Sequence, residues 1–103
     1  MPVVVTAVFH PAPGRKDDLV EAFRATLPGV HAEPGCLLYS IHDADDGTIT
    51  MIEKWATVAD LDAHGSGPAV AALGAAIDGL VTAPPTVVRM TPIPVGDASV
   101  GEL

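Results

Sequence analysis

The distribution of apolar and polar positions divides this chain into short segments with two periods, one of two residues and one of about 3.6. Residues 2–10, Pro2-Val3-Val4-Val5-Thr6-Ala7-Val8-Phe9-His10, are apolar and mostly β-branched and end at Pro11-Ala12-Pro13-Gly14, which predicts a strand with apolar residues on both faces. From residue 15 to about residue 30 the spacing changes to helical, with Leu19, Phe23, Leu27 and Val30 on one side and Asp17 and Asp18 in the first turn, where the helix dipole favours acids. Pro28-Gly29 predicts the end or fraying of this helix, and residues 31–34 read as a connection. Residues 36–43 and 48–55 read as strands joined by the turn signal Asp43-Ala44-Asp45-Asp46-Gly47, an antiparallel hairpin. Thr57 occupies an N-cap position with Asp60 three residues on, so a short helix should run to His64 before Gly65-Ser66-Gly67 breaks it. Pro68 suits the first position of a further helix through Val70, Leu73 and Ile77 as far as Leu80, with Ala83-Pro84-Pro85 as its stop. Residues 86–91 read as the last strand, and Pro92, Pro94, Gly96 and Gly101 predict a loose tail, so the domain is assigned to residues 1–94 and the tail to 95–103.

The resulting order, β-α-β-β-α-β with the second helical region split in two, is the α+β ferredoxin-like arrangement. Right-handed crossovers put the helical segments on one face of the four-stranded sheet. The other face has no cover within the chain, yet the strands carry apolar residues at both parities: Val3, Val4, Val5, Val8 and Phe9 in the first, Leu37, Leu38 and Ile41 in the second, Val87 and Val88 in the last. Such a sheet is expected to be buried on both faces, and a second copy of the chain would supply the cover, giving a dimeric α+β barrel that buries on the order of 2,000 Å² or more.

Composition narrows the picture. The chain has 103 residues, enough for one domain, and is 49% hydrophobic but only 4% aromatic, so Val, Leu, Ile and Ala must fill the core. That apolar load, with a mean hydropathy of +0.39, also points to self-association. A formal charge of −8, with Arg15, Lys16, Arg24, Lys54 and Arg89 scattered, argues against nucleic acid and anionic membrane surfaces as partners. The single cysteine, Cys36, has no partner for a disulfide or a Cys-x-x-Cys metal site. No signal-peptide pattern and no apolar run long enough to span a membrane stand out, so a reducing cytoplasm is the expected location. The abundance of Ala, Gly, Pro and Val suggests a bacterial chain from a GC-rich genome.

One residue breaks the apolar pattern. Ile49, Met51, Glu53 and Trp55 share one face of the third strand, so a carboxylate stands in a hydrophobic row, where it must be paired, protonated or at the edge of a wet cavity. Glu53 is then either a base or hydroxyl acceptor, or a structural carboxylate paired with Arg89 or Lys54. His64 sits at a helix end, where it either caps unpaired carbonyls or acts as a base near neutral pH. Trp55 reads as pocket wall or plain core packing. Simple pairing across a 44–47 turn sets the row of Leu38, Ser40 and His42 against Glu53, whereas a slip of one residue sets Tyr39 there instead; the pattern leaves both registers open. No two histidines lie at helical metal-ligand spacing, so no metal is expected. His10 and His31 lie on connections and read as surface residues.

Three segments, Glu33-Pro34-Gly35-Cys36-Leu37-Leu38-Tyr39, Met51-Ile52-Glu53-Lys54-Trp55 and Leu61-Asp62-Ala63-His64, resemble the antibiotic biosynthesis monooxygenase (ABM) domain family over about residues 2–93, most closely its bacterial quinol monooxygenase branch. The resemblance implies a dimeric barrel and a small pocket in each subunit between sheet and helices. It implies cofactor-independent oxidation of a small quinol or hydroxylated aromatic by dioxygen, the co-substrate, with neither metal nor flavin. Under it His64 and Glu53 are the catalytic candidates, and Trp55, Tyr39, Met51 and His42 the substrate-binding ones. The family also includes isomerases and proteins without known activity, so an isomerase using the same pocket and a noncatalytic ligand-binding or structural dimer are the alternatives. The haem-degrading branch uses an Asn on the first strand; this chain contains no Asn, which disfavours that activity.

Overall fold

The structure, a computed structural model, describes all 103 residues. Its elements are β1 (Val3–Phe9), α1 (Lys16–His31), β2 (Cys36–Asp43), β3 (Ile49–Trp55), α2 (Val58–Gly65), α3 (Pro68–Ile77) and β4 (Thr86–Met90). The strands form one sheet in the order β2-β3-β1-β4 with every neighbouring pair antiparallel, the ferredoxin-like topology expected from the element order. No helix is long and apolar enough to cross a membrane.

The core follows the two periods. Val3, Val5, Ala7 and Phe9 of β1 and Ile49, Met51 and Trp55 of β3 project from one sheet face and meet Leu19, Phe23, Leu27 and Val30 of α1, Leu61 of α2, and Leu73 and Ile77 of α3. Phe9 and Phe23 join strand to helix edge to face, centroids 5.0 Å apart. The opposite face carries Val4, Val8, Leu38, Ile52, Val88 and Met90 among Thr6, Ser40, Thr50, Lys54 and Thr86, and these residues lie outside that core. All five residues of β4 are exposed, because the helices do not reach over this edge strand.

The elements depart from the expected bounds at two places. Helix α1 does not stop at Pro28-Gly29 but continues to His31. The proline removes one helical N–H at a cost of about 3 kcal/mol, but stopping there would unseat Val30, which is fully buried one turn beyond Leu27 and two beyond Phe23. Helix α3 ends at Ile77, short of Leu80, because Asp78 leaves helical geometry (φ −57°, ψ 129°). The chain then pairs with the end of β1 before reaching the prolines: Ala12 N–H donates to the Leu80 carbonyl and Thr82 N–H to that of His10. The two helix starts are as expected, with Pro68 in the first turn of α3 and Thr57 Oγ1 accepting from Asp60 N–H (3.0 Å) at the N-terminus of α2.

The hairpin register is the outcome on which the site depends. Tyr39 pairs with Glu53 and His42 with Thr50. Thr48 stays out of the ladder because its N–H and hydroxyl both donate to Asp46 Oδ1 (3.0 and 2.6 Å), which lengthens the connection by a residue. At the other end of β2 a bulge at Leu37 absorbs the shift, Cys36 standing opposite Trp55 and Leu38 opposite Lys54.

Candidate active site

The pairing places Tyr39, Glu53, Val5 and Arg89 in a line across all four strands, on the face turned to the helices. Above this line lies a cavity of about 320 Å³. Val5, Ala7 and Phe9 form its floor, Leu61 and His64 of α2 and Leu73 and Ile77 of α3 its roof, and Val87 and Arg89 of the uncovered β4 its open side. Its volume is near the lower end of the range for small-molecule sites, roughly 300–1,000 Å³, and suits one ring or two fused rings.

Glu53 is buried, and its side chain has a partner: Trp55 Nε1–H, two residues along the same strand, donates to Oε1 at 3.0 Å. Burial pushes the carboxyl above its ordinary range, while the Trp55 hydrogen bond and the nearby His64 and Arg89 act against that rise. No buried side-chain nitrogen or oxygen lacks a partner, and Oε2 has none within the protein, so Oε2 opens on the cavity. The pairing of Glu53 with Lys54 is excluded by parity, since Lys54 projects from the other sheet face. Arg89 instead meets Asp62 of α2, Nη1 to Oδ1 at 2.9 Å.

His64 is 5% exposed and its Nδ1 lies 2.7 Å from Glu33 Oε1. An ionised carboxylate only accepts, so Nδ1 donates to it; this pairing selects the tautomer in which a neutral imidazole has its lone pair on Nε2, the nitrogen that has no protein partner and borders the cavity. The imidazole packs against two neighbouring aromatic rings, its centroid 4.6 Å from that of Trp55 in a tilted stack and 5.3 Å from that of Tyr39 edge-on. A carboxylate–imidazole pair, its imidazole packed against Trp55 and Tyr39, is therefore presented to an apolar cavity that already contains a second carboxylate.

Glu33 was not singled out by sequence reasoning as a site residue. It lies in the connection after α1, and its role depends on a contact across 31 residues that no periodicity reports. The signal present was local: Glu33-Pro34-Gly35 is a short, stiff turn, pinned by Cys36 N–H to the Glu33 carbonyl and by Ala56 N–H to the Gly35 carbonyl. Gly67, at the start of α3, leaves room for the carboxylate, since a Cβ there would stand 3.3 Å from Glu33 Oε2.

Of the candidates, the structure brings Glu53, His64 and Tyr39 to the cavity wall. The Tyr39 hydroxyl has no protein partner, and burial, then the nearby Glu53, raise its pKa, so it keeps its proton and can donate a hydrogen bond into the cavity. Trp55 and Met51 are fully buried behind the wall, Trp55 acting on the site through Glu53 and His64. His42 is not brought in. It is exposed on the other sheet face, its Nδ1 donating to the Thr50 carbonyl at 3.1 Å. His31 also lies outside the cavity, its Nε2–H donating to the Tyr39 carbonyl at 2.8 Å and tying α1 to β2.

The fold and this cavity define a class, and comparison with known proteins gives the family. The sequence model of the antibiotic biosynthesis monooxygenase family matches residues 2–76, and the chain belongs to that family. It is 30% identical over 93 residues to "Putative monooxygenase Rv0793" of Mycobacterium tuberculosis, covering 89% of this chain and 92% of that one. The solved structure of Rv0793 superposes with a TM-score of 0.83 over 94% of this chain and all of the other, at 28% identity. The structure of PA3566 from Pseudomonas aeruginosa gives 0.75 at 26% identity, over 86% of this chain and 91% of that one. A conserved protein from Methanosarcina mazei Go1, 15% identical, gives 0.80 over 87% of this chain and 91% of its own and shares the fold alone.

Proposed function

We propose that this chain is a monooxygenase that inserts one atom of dioxygen into a small quinol or hydroxylated aromatic, without a metal or organic cofactor. The observation that carries the reading is the Glu33–His64 pair facing Glu53 across a small apolar cavity. A substrate hydroxyl placed between His64 Nε2 and Glu53 Oε2 gives its proton to the imidazole, whose positive charge Glu33 balances. Apolar floor and roof contacts hold the electron-rich phenolate away from water, which favours electron transfer to dioxygen. Collapse of the resulting pair forms a carbon–oxygen bond, and loss of water leaves the quinone. For a hydroquinone the sum is quinol plus dioxygen to hydroxyquinone plus water: four electrons leave the ring system, one oxygen atom enters the product and the other becomes water. Membership of the family and a relative bearing the word monooxygenase in its name support the reaction class.

The test is oxygen consumption with a panel of hydroquinones and polyphenols. His64→Ala should lower kcat at least about tenfold, the scale of a lost general base. Glu33→Gln, which keeps the shape but removes the charge that balances the imidazolium, should lower kcat by about tenfold with a much smaller change in KM. Turnover by the His64 variant at the parent rate, with the fold intact by circular dichroism, would remove the base from the mechanism. Product formed equally well under argon would instead identify an isomerase using the same pair.

A further inference from the structure

We propose that Arg89 is the anchoring cation for a carboxylate on the aromatic ligand, so that the preferred substrates are hydroxylated aromatic acids and not neutral quinols. This deepens the reading of the cavity given above and rests on it as the ligand site. Three observations support it. The cavity lining includes one arginine and no lysine, and that arginine stands at the open side, opposite His64 and Tyr39. Val5 pairs with Glu53 on one side and with Arg89 on the other, so the two residues stand two strand spacings apart, about 9.5 Å between Cα atoms, on the same sheet face. A ring laid over Val5 thus has its hydroxyl at the acid–imidazole end and its far substituent at the guanidinium.

The third observation is the group Arg89 already holds. Asp62, which is not part of the cavity lining, draws the guanidinium to the rim through a single 2.9 Å contact in which both side chains are at least half exposed. Such an exposed pair contributes at most about 1 kcal/mol and exchanges readily. The Asp62 carboxylate therefore marks the kind of acceptor that Arg89 takes. A ligand carboxylate reaching Arg89 from inside the cavity would meet it in a drier setting and with the planar two-oxygen geometry that a guanidinium fork matches. The net charge of −8 repels anions at long range, so a preference for an acid must come from this one local cation.

Equilibrium binding of 2,5-dihydroxybenzoate and of its methyl ester, read without oxygen from the fluorescence of the only tryptophan, Trp55, tests the proposal. The acid should bind at least tenfold more tightly than the ester. Arg89→Met should bring the two within about twofold, Arg89→Lys should keep part of the difference, and Asp62→Asn, which removes the resident competitor, should widen it about threefold. Equal affinities in the parent protein, or a preference that survives Arg89→Met, overturn the proposal. Because binding is measured anaerobically, a lack of oxygen consumption would defeat the proposed reaction alone, equal affinities would defeat this inference alone, and failure of both ligands to bind would defeat both.

Discussion

Glu53 sits in the third strand between Met51 and Trp55, all three buried, and its energetics are those of an acid whose anion is less welcome in the folded chain than in water. Its folded-state pKa lies above the ordinary 4.5, chiefly through loss of solvent. The native state therefore holds this proton more tightly than the unfolded chain does. As pH rises from 4.5 through the raised value, stability falls, and above that value the full penalty of the buried anion is present. Glu53→Gln keeps an oxygen to accept the Trp55 N–H but has no proton to lose. The variant should melt at a higher temperature than the parent at pH 8, with the gap closing as pH approaches 4.5 from above, by calorimetry across pH 4 to 8. A parent that is the more stable of the two at pH 8 would show that Trp55, His64 and Arg89 outweigh desolvation. The site thus carries a cost in stability at neutral pH, as is expected where a group is kept for chemistry and not for packing.

At the scale of elements, the site is assembled by connections more than by strands and helices. The turn Glu33-Pro34-Gly35 sets Glu33 under His64, and Gly35 has φ +78°, a left-handed conformation that side chains disfavour by about 1–2 kcal/mol. A Cβ there would also collide with the Asp60 carboxylate at the start of α2, the helix that carries His64. Gly47 in the β2–β3 turn has φ +90° but open space around it. Gly47→Ala should cost about 1–2 kcal/mol by urea unfolding and leave kcat near the parent value. Gly35→Ala should cost more and also lower kcat, because it displaces both halves of the Glu33–His64 pair. Equal costs with equal activity would mean that the turn does not position the site. The same contrast explains what was legible in advance. Element order, the core stripe Leu19-Phe23-Leu27-Val30 and both helix starts follow from local spacing and capping, so pattern alone reveals them. Pattern alone leaves the hairpin register open; Asp46 holds Thr48 out of the ladder through two local hydrogen bonds, and the resulting register sets Tyr39, not His42, beside Glu53. The partnership of Glu33 with His64 is long-range and leaves no periodic trace.

For the whole molecule, the open sheet face and β4 present a problem that one chain does not solve. Leu37, Val87, Val88 and Met90 are all exposed, and Val4, Leu38 and Ile52 line the face that no helix covers. Apolar residues spread over a whole sheet face suit a flat partner better than solvent, and a second copy of the same face offers the same pattern in a self-complementary arrangement. A two-fold sheet-to-sheet contact would bury on the order of 2,000 Å². It would also bring cover to the edge where β4 leaves the cavity open, so that association and ligand binding would be linked. Sedimentation velocity at about 10 µM should then show one species of about twice the 10.5 kDa chain mass. Ile52→Asp places a charge at the centre of that face, on a position that is only partly buried in the single chain, so the monomer should still fold. The expected result is a shift to the monomer mass with circular dichroism unchanged, together with weaker ligand binding at a site on the other side of the sheet. A parent that sediments as a monomer at this concentration overturns the dimer, and a dissociated variant with full ligand affinity overturns the linkage.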